Sequence, residues 1–429
     1  MIAENNVFMI DGEMKSSADL SREHATATRR YFLQRMGISA AGFCVLPLWA
    51  NEEILNPELQ ARIQKLAYLT STEAFRNVER HRPLPYKLPL DKRLQYGLER
   101  ETWKLEVIKD PESNSRLRNP LSNEEGTALD FPGLMKLAEK QSVRFLKVMT
   151  CNNIADPLGM GLWEGVPLRD VIWLAKPDKN IRRVFYRGFH NNNPKQVFQS
   201  SLPIGRVLED PPGEQPIILC YKLNGSPLEG QRGGPVRMIV PEAYGFKSIK
   251  WIQTIFLTNN HQANDTYAKQ DNDIDSQMKS YARFIHWPKS VKAGNPIPIT
   301  GVAQAGMSGI SKVQYWLQPE KEDVPSGDPY FSKADWLDAD ILPLPPDWKP
   351  EEVDQPLSPI QIDSNQQPRE WPLRHTIAHW AALIENTPKG NYVLRCRTID
   401  RNGIAQPMPR PFQKSGGNKI QKVNLKVTG

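Results

Sequence analysis

Thirty-seven prolines are spread through these 429 residues, and they set the first limit on the fold. Each proline fixes one backbone angle and removes one hydrogen-bond donor, so a chain this rich in them builds from loops and short strands rather than long helices. The length predicts two or three domains with at least one large core. Hydrophobic (39%) and charged (24%) fractions are ordinary for a soluble protein. The net charge of +7 is dispersed, with no block of five or six like charges. That argues against nucleic acid and for a small anionic substrate or an acidic partner.

The amino terminus reads as an address. Thr28-Arg29-Arg30-Tyr31-Phe32-Leu33-Gln34 places two arginines ahead of an uncharged, moderately apolar stretch at 36–50. That stretch is too short to span a bilayer as a helix, and its layout matches a twin-arginine export signal to the periplasm. Cleavage after Ala50 is weakly marked, because Leu48 is large for a small-x-small site. Twin-arginine export carries folded proteins, commonly around a cofactor. Of the four cysteines, Cys44 falls in the signal, leaving Cys151, Cys220 and Cys396. An odd count cannot complete a disulfide framework, and neither C-x-x-C nor C-x-x-C-H occurs.

The pattern predicts a helix over 57–69, a polar and proline-broken stretch at 75–85, and a strand at 102–108. It then predicts a helix over 131–141, a buried strand at 216–223 turning at Asn224-Gly225, and strands at 237–240 and 249–257. From about residue 290 short alternating strands follow, at 297–303, 312–317, 392–400 and 420–427, as in a separate β-sandwich. Residues 343–368, rich in proline and acid, read as a long surface loop. The divisions are 1–50, 51–287 and 288–429. The Tyr315-Trp316 and His379-Trp380 pairs read as packing, and His261, His286 and His375 as structural or surface groups.

Cys151 and three further segments carry chemistry. Cys151 follows an alternating stretch at 143–148 and precedes a glycine-bearing segment at 161–170 that reads as turn-rich. A thiol there is either a small buried hydrophobe or a ligand for a soft metal ion. Arg232-Gly233-Gly234-Pro235-Val236-Arg237 and Gly245-Phe246-Lys247-Ser248-Ile249-Lys250-Trp251 are basic turns. Each is either a solvated hairpin or a phosphate cradle, because glycine permits close backbone approach and the cations supply charge-assisted donors. Residues 185–193, with His190 among asparagines, form a polar cluster suited to the edge of a heterocycle.

Taken in order, Cys151 with 161–170, Asn224-Gly225-x-Pro227-Leu228, the two basic turns and the trailing sandwich resemble the sulfite oxidase family of molybdenum enzymes. The resemblance runs from about Trp103 to the C-terminus. It implies an α+β fold, in which a molybdopterin-binding catalytic domain (51–287) precedes an immunoglobulin-like β-sandwich of the dimerisation type (288–429). It implies a molybdenum-molybdopterin cofactor with Cys151 as the metal's thiolate ligand. Arg237, Lys247, Ser248 and Lys250 then fall where the pterin and its phosphate are held, with His190 and Arg232 as looser matches. Tyr267 is the candidate active-site tyrosine, with Tyr281 as the alternative. Arg76-Asn77 matches an early cofactor-contacting pair.

This chain also departs from the family pattern. Cys151 is followed by Asn152-Asn153-Ile154-Ala155-Asp156, where animal sulfite oxidases carry Ala-Gly-Asn-Arg-Arg, so an anion-binding arginine is missing and an acid stands nearby. Val78 stands where a pterin-contacting histidine is usual, and His81 is the candidate replacement. The resemblance implies oxygen-atom transfer on a sulfur compound, either a sulfite-like oxyanion or a sulfoxide. Electrons would be exchanged with a cytochrome c or a membrane redox partner, because no haem or iron–sulfur motif occurs here. The alternatives are a catalytic subunit of a larger haem-containing complex, and an exported binding protein with a vestigial pterin site.

Overall fold

The computed structural model describes residues 7–10, 13–16 and 56–429, apart from 155, 323–327, 329–330, 346–347, 349–356, 358–359, 361–367 and 408–409. The twin-arginine segment, the apolar stretch after it and Cys44 lie outside the described residues. Strands β1 (Val7–Ile10) and β2 (Glu13–Ser16) pair antiparallel. Helix α1 (Pro57–Ile63) starts where the Asn56 side chain accepts a hydrogen bond from the Leu59 amide. It then buries Leu59 beside Leu342, Ala381 and Leu383 of the C-terminal half.

The larger domain holds two five-stranded sheets. Its strands are β3 (Lys104–Lys109), β4 (Leu129–Asp130), β5 (Val143–Met149), β6 (Gly159–Pro167), β7 (Arg183–Gly188), β8 (Gln199–Pro203), β9 (Ile218–Leu223), β10 (Ser226–Pro227), β11 (Arg237–Ile239) and β12 (Ile252–Thr258). One sheet runs β10-β9-β6-β5 with β11 paired to β9, and the other runs β4-β3-β12-β7-β8. A core of Trp103, Leu105, Val107, Val166, Tyr186, Leu219, Met238, Ile252 and Ile255 lies between them. The helices are short, as the prolines dictate: α2 (Leu90–Gln95), α3 (Phe131–Gln141), α4 (Leu168–Leu174) and α5 (Ile204–Leu208). Asp130 caps α3 by accepting from the Gly133 amide at 2.8 Å, and Leu134 and Ala138 form its buried face.

Two sequence readings are corrected here. Residues 161–167 are no turn: β6 is buried along its whole length and leads directly into α4. Its glycines serve close packing, since a Cβ on Gly159 would stand 2.6 Å from the Phe75 ring. The proline-rich stretch after 343 is not simply surface, because Leu344, Trp348 and Leu357 are buried with Tyr68, Leu146 and Val148. By contrast, Asn224 and Gly225 take φ of 50° and 79°, the two positive values of a tight hairpin, and join β9 to β10 as their residue types predict.

The C-terminal strands are β13 (Tyr281–His286), β14 (Ser290–Lys292), β15 (Ile297–Gln304), β16 (Lys312–Pro319), β17 (Leu337–Ile341), β18 (Ile377–Ile384), β19 (Gly390–Ile399) and β20 (Gln421–Thr428). β13 opens this array upstream of residue 288. β17 changes partner along its length, pairing with β16 through Leu337–Ala339 and with β18 through Asp340 and Ile341. The array therefore folds over on itself. Phe284, Ile299 and Trp380 from one layer share a core with Val313, Leu394, Cys396 and Leu425 from the other. Among the described residues no helix is long and apolar enough to cross a membrane.

Candidate active site

β5 and β6 form an antiparallel hairpin closed by the Leu158 amide donating to Met149 O at 2.8 Å. Cys151 sits on the loop between them. Its carbonyl neighbour Thr150 O accepts from the Gly245 amide at 2.7 Å, which docks the loop on the second basic turn. The two basic turns are also tied to each other, Trp251 N donating to Gly233 O at 3.0 Å and Met238 N to Ile249 O at 2.9 Å. Gly233 has φ of 100°, and a Cβ there would stand 2.7 Å from Lys250 side-chain atoms. Only glycine lets Lys250 pass so close.

These segments enclose a cavity of about 730 Å³, its open mouth included. Cys151, Arg76, Asn77, Arg232, Arg237, Ser248 and Lys250 line it, together with His81. Phe75, Met149, Leu158, Phe198 and Phe246 supply an apolar wall. The leading segment crosses the cavity and is held there by the cations. Arg232 donates to Thr72 O and Arg76 O at 3.0 and 3.1 Å, and Lys250 Nζ to Asn77 Oδ1 at 2.5 Å and Val78 O at 3.1 Å. Arg237 donates to Arg232 O at 2.7 Å and Ser248 O at 2.5 Å.

Every acceptor on Arg232, Arg237 and Lys250 is a neutral oxygen. Among the described residues none of the three forms an ion pair with a carboxylate, and the buried Nε atoms of Arg232 and Arg237 make no hydrogen bond. The charges strain against burial. Lys250 is held well below an ordinary lysine, by burial and then by the charges of Arg237, Arg232 and Arg80. Burial brings Arg237 down to about 10. It also brings His81 down to about 4, with Arg80, His190 and Lys250 adding to the effect. Three crowded cations without a counterion define a site for an anion. Asn152, buried beside Cys151, leaves its Nδ2 unpaired as well.

Three of the residues singled out in the sequence are not on the cavity wall. Lys247 turns away into a buried ion pair with Asp265 (2.6 Å) and a hydrogen bond to Ser201 O (2.8 Å). Burial still lowers it. His190 folds back toward Gly188 O at 3.4 Å. Tyr267 packs edge-on against Phe198 and Phe246, behind the wall. Its hydroxyl accepts from Arg80 Nη2 at 3.0 Å. Arg80 itself lines the cavity, stacked 3.9 Å over the Phe198 ring. Sequence reasoning missed Arg80 although it adjoins His81, because nothing in an irregular loop marks which of several arginines points inward. Tyr281, the alternative, is buried in the fold.

The family model described as the oxidoreductase molybdopterin binding domain matches residues 124–266, a span that includes Cys151 and both basic turns. Mitochondrial sulfite oxidase of Drosophila melanogaster is 26% identical over 239 residues, 55% of this chain and 37% of that protein. An NADPH nitrate reductase of Fusarium oxysporum is 31% identical over 132 residues, 31% of this chain and 14% of that one. The chain thus spans well under two thirds of either relative. The sulfane dehydrogenase SoxCD of Paracoccus pantotrophus shares the fold, with a TM-score of 0.53 at 15% identity over 92% of this chain and 96% of that one. Residues 124–266 thus match the molybdopterin-binding domain of oxidoreductases, and more than half of the chain is similar to a sulfite oxidase. The cavity fits such a cofactor: buried cations with no carboxylate partner among the described residues for a phosphate, orphaned guanidinium donors, and a thiol within the same space.

Proposed function

We propose that this chain is an exported, periplasmic molybdenum oxidoreductase. It would transfer an oxygen atom to or from a sulfur compound, a sulfite-like oxyanion or a sulfoxide, and exchange electrons with a separate redox protein. One observation carries the reading: the Cys151 thiol opens into the same cavity as three cations, the buried Arg232 and Arg237 and the half-buried Lys250, that have no carboxylate partner among the described residues. When bound, the molybdenum cofactor supplies a two-electron redox centre able to exchange an oxygen atom.

The chain's own residues do the rest. Cys151 would ligate the metal as a thiolate, and the remaining coordination would come from the cofactor, since among the described residues no group of three His, Cys, Asp or Glu side chains stands where it could hold a metal ion by itself. Arg232, Arg237 and Lys250 neutralise the cofactor phosphate, and that anion in turn relieves the cost of burying them. The apolar wall of Phe75, Met149, Leu158, Phe198 and Phe246 limits water near the thiol. Arg80 presents its remaining N–H groups to a substrate oxygen, with its plane fixed by Phe198 and Tyr267. Because Arg80 can only donate, the Tyr267 oxygen is the acceptor of that bond, and the phenolic proton is left for another partner. Electrons pass to or from a cytochrome c or a membrane carrier, since the sequence has no C-x-x-C-H haem attachment.

Turnover of the molybdenum-loaded protein with sulfite and with a methyl sulfoxide, using a dye or cytochrome c, tests the reading. We expect activity on at least one of them. Loss of a supporting contact around a metal costs up to about a hundredfold, so Cys151→Ala should cost more. Loaded protein that turns over neither substrate, or a Cys151→Ala variant as active as wild type, would refute it.

A further inference from the structure

The loop after Cys151 carries Asp156, and its two ends, Cys151 and Leu158, both line the cavity. Asp156 Oδ1 lies 3.0 Å from Arg283 Nη1, and its Oδ2 lies 3.9 Å from Arg76 Nη1. Arg76 is a cavity residue, whereas Arg283 is contributed by β13 of the C-terminal sandwich. Asp156 thus stands between a cavity residue and an arginine of the C-terminal half. Arg76 and Asp156 side chains are 49% and 56% exposed, so water competes for the pair and its net strength is small. The contact can exchange for another anion at little cost.

We propose that Asp156 is an internal counter-anion, which competes with anionic substrates for Arg76 and Arg283 and thereby sets the charge selectivity of the site. This rests on the proposed function and deepens it. An arriving oxyanion either displaces the carboxylate or sits beside it. A dianion sitting beside it meets twice the repulsion of a monoanion. Asp156 therefore weakens binding of small dianions selectively and leaves neutral sulfur compounds untouched.

The test is calorimetric titration with sulfate, an unreactive dianion, on wild type, Asp156→Asn, Asp156→Glu and Arg283→Gln. Steady-state kinetics of the same loaded proteins with sulfite and a neutral methyl sulfoxide accompany it. Asp156→Asn should tighten sulfate by about fivefold or more. It should lower KM for sulfite by a similar factor, change kcat less, and leave the sulfoxide KM where it was. Asp156→Glu should behave like wild type, and Arg283→Gln should weaken sulfate. Sulfate affinity unchanged in Asp156→Asn, or sulfite and sulfoxide KM moving together, would overturn the proposal. Metal content of each protein separates this outcome from failure of the broader reading. A chain without molybdenum is titrated with sulfate in the Arg232→Gln, Arg237→Gln background, which removes the cavity's own anion site.

Discussion

Lys147 shows how far charge has been taken into this fold. It is fully buried on β5, four residues before Cys151, and donates to Pro241 O, Ala243 O and Val148 O at 2.8, 3.0 and 3.3 Å. It staples the strand that presents the thiol to the segment leading into the second basic turn. Burial lowers the ammonium to about 7, with Glu242 opposing and Arg237 adding to the shift. Between about 7 and 10.5 the unfolded chain therefore holds a proton that the folded chain lacks. Stability of the cofactor-free protein should rise with pH across that window, by at most about 1.4 kcal/mol per pH unit from this one group. Urea unfolding at several pH values should show the rise in wild type and a flatter profile in Lys147→Met. Equal slopes would exclude the assignment. At this scale the sequence was only partly readable. Both Lys247 and Lys250 stand in one basic turn, and no periodicity in an irregular segment tells which faces the cavity. The answer depends on Asp265, whose place beside Lys247 is set by tertiary packing.

At the scale of elements, turns with special backbone demands were the most legible. Asn224-Gly225 and Arg232-Gly233-Gly234 are legible because residue types that tolerate positive φ are few. β6 was misread because its glycines are there for packing against Phe75 and Leu223 rather than for turning. β12 begins three residues later than the pattern predicted, because Trp251 is held at φ of 51° by the tie between the basic turns. Gly233→Ala tests that tie. The added methyl meets Lys250 and adopts a backbone conformation costly for an L-residue, for a loss of about 1–3 kcal/mol. We expect a lower thermal midpoint and reduced pterin retention. Unchanged values of both would show that the turn can relax without its glycine.

Across the whole molecule, the two halves share structure that no local pattern reveals. β5 is an edge strand of its sheet, and its Val148 amide donates to His375 O of the C-terminal half at 2.8 Å. His375 Nε2 and Arg374 Nη1 both reach Glu214, at 2.7 and 2.5 Å. Leu146 and Val148 pack with Trp348, Leu373 and Ile377. Local patterns alone could be read as a mixed α and β part followed by a β-rich C-terminal domain, and the fold class and its parts followed from the resemblance carried by Cys151, the basic turns and the trailing strands in order. The joint between the halves could not be read in advance, because these contacts are between residues 160 or more positions apart. One consequence is that Cys151 is positioned from both sides, and the central claim, that thiol and buried cations together hold a molybdopterin, concerns the assembled molecule. Its most direct test is the molybdenum and pterin content of protein purified from a host that makes the cofactor, for wild type and an Arg232→Gln, Arg237→Gln double variant checked for folding by circular dichroism. The account predicts near-stoichiometric metal and pterin in wild type and loss of both in the folded double variant. Wild type carrying neither, or a double variant carrying both in full, would contradict it.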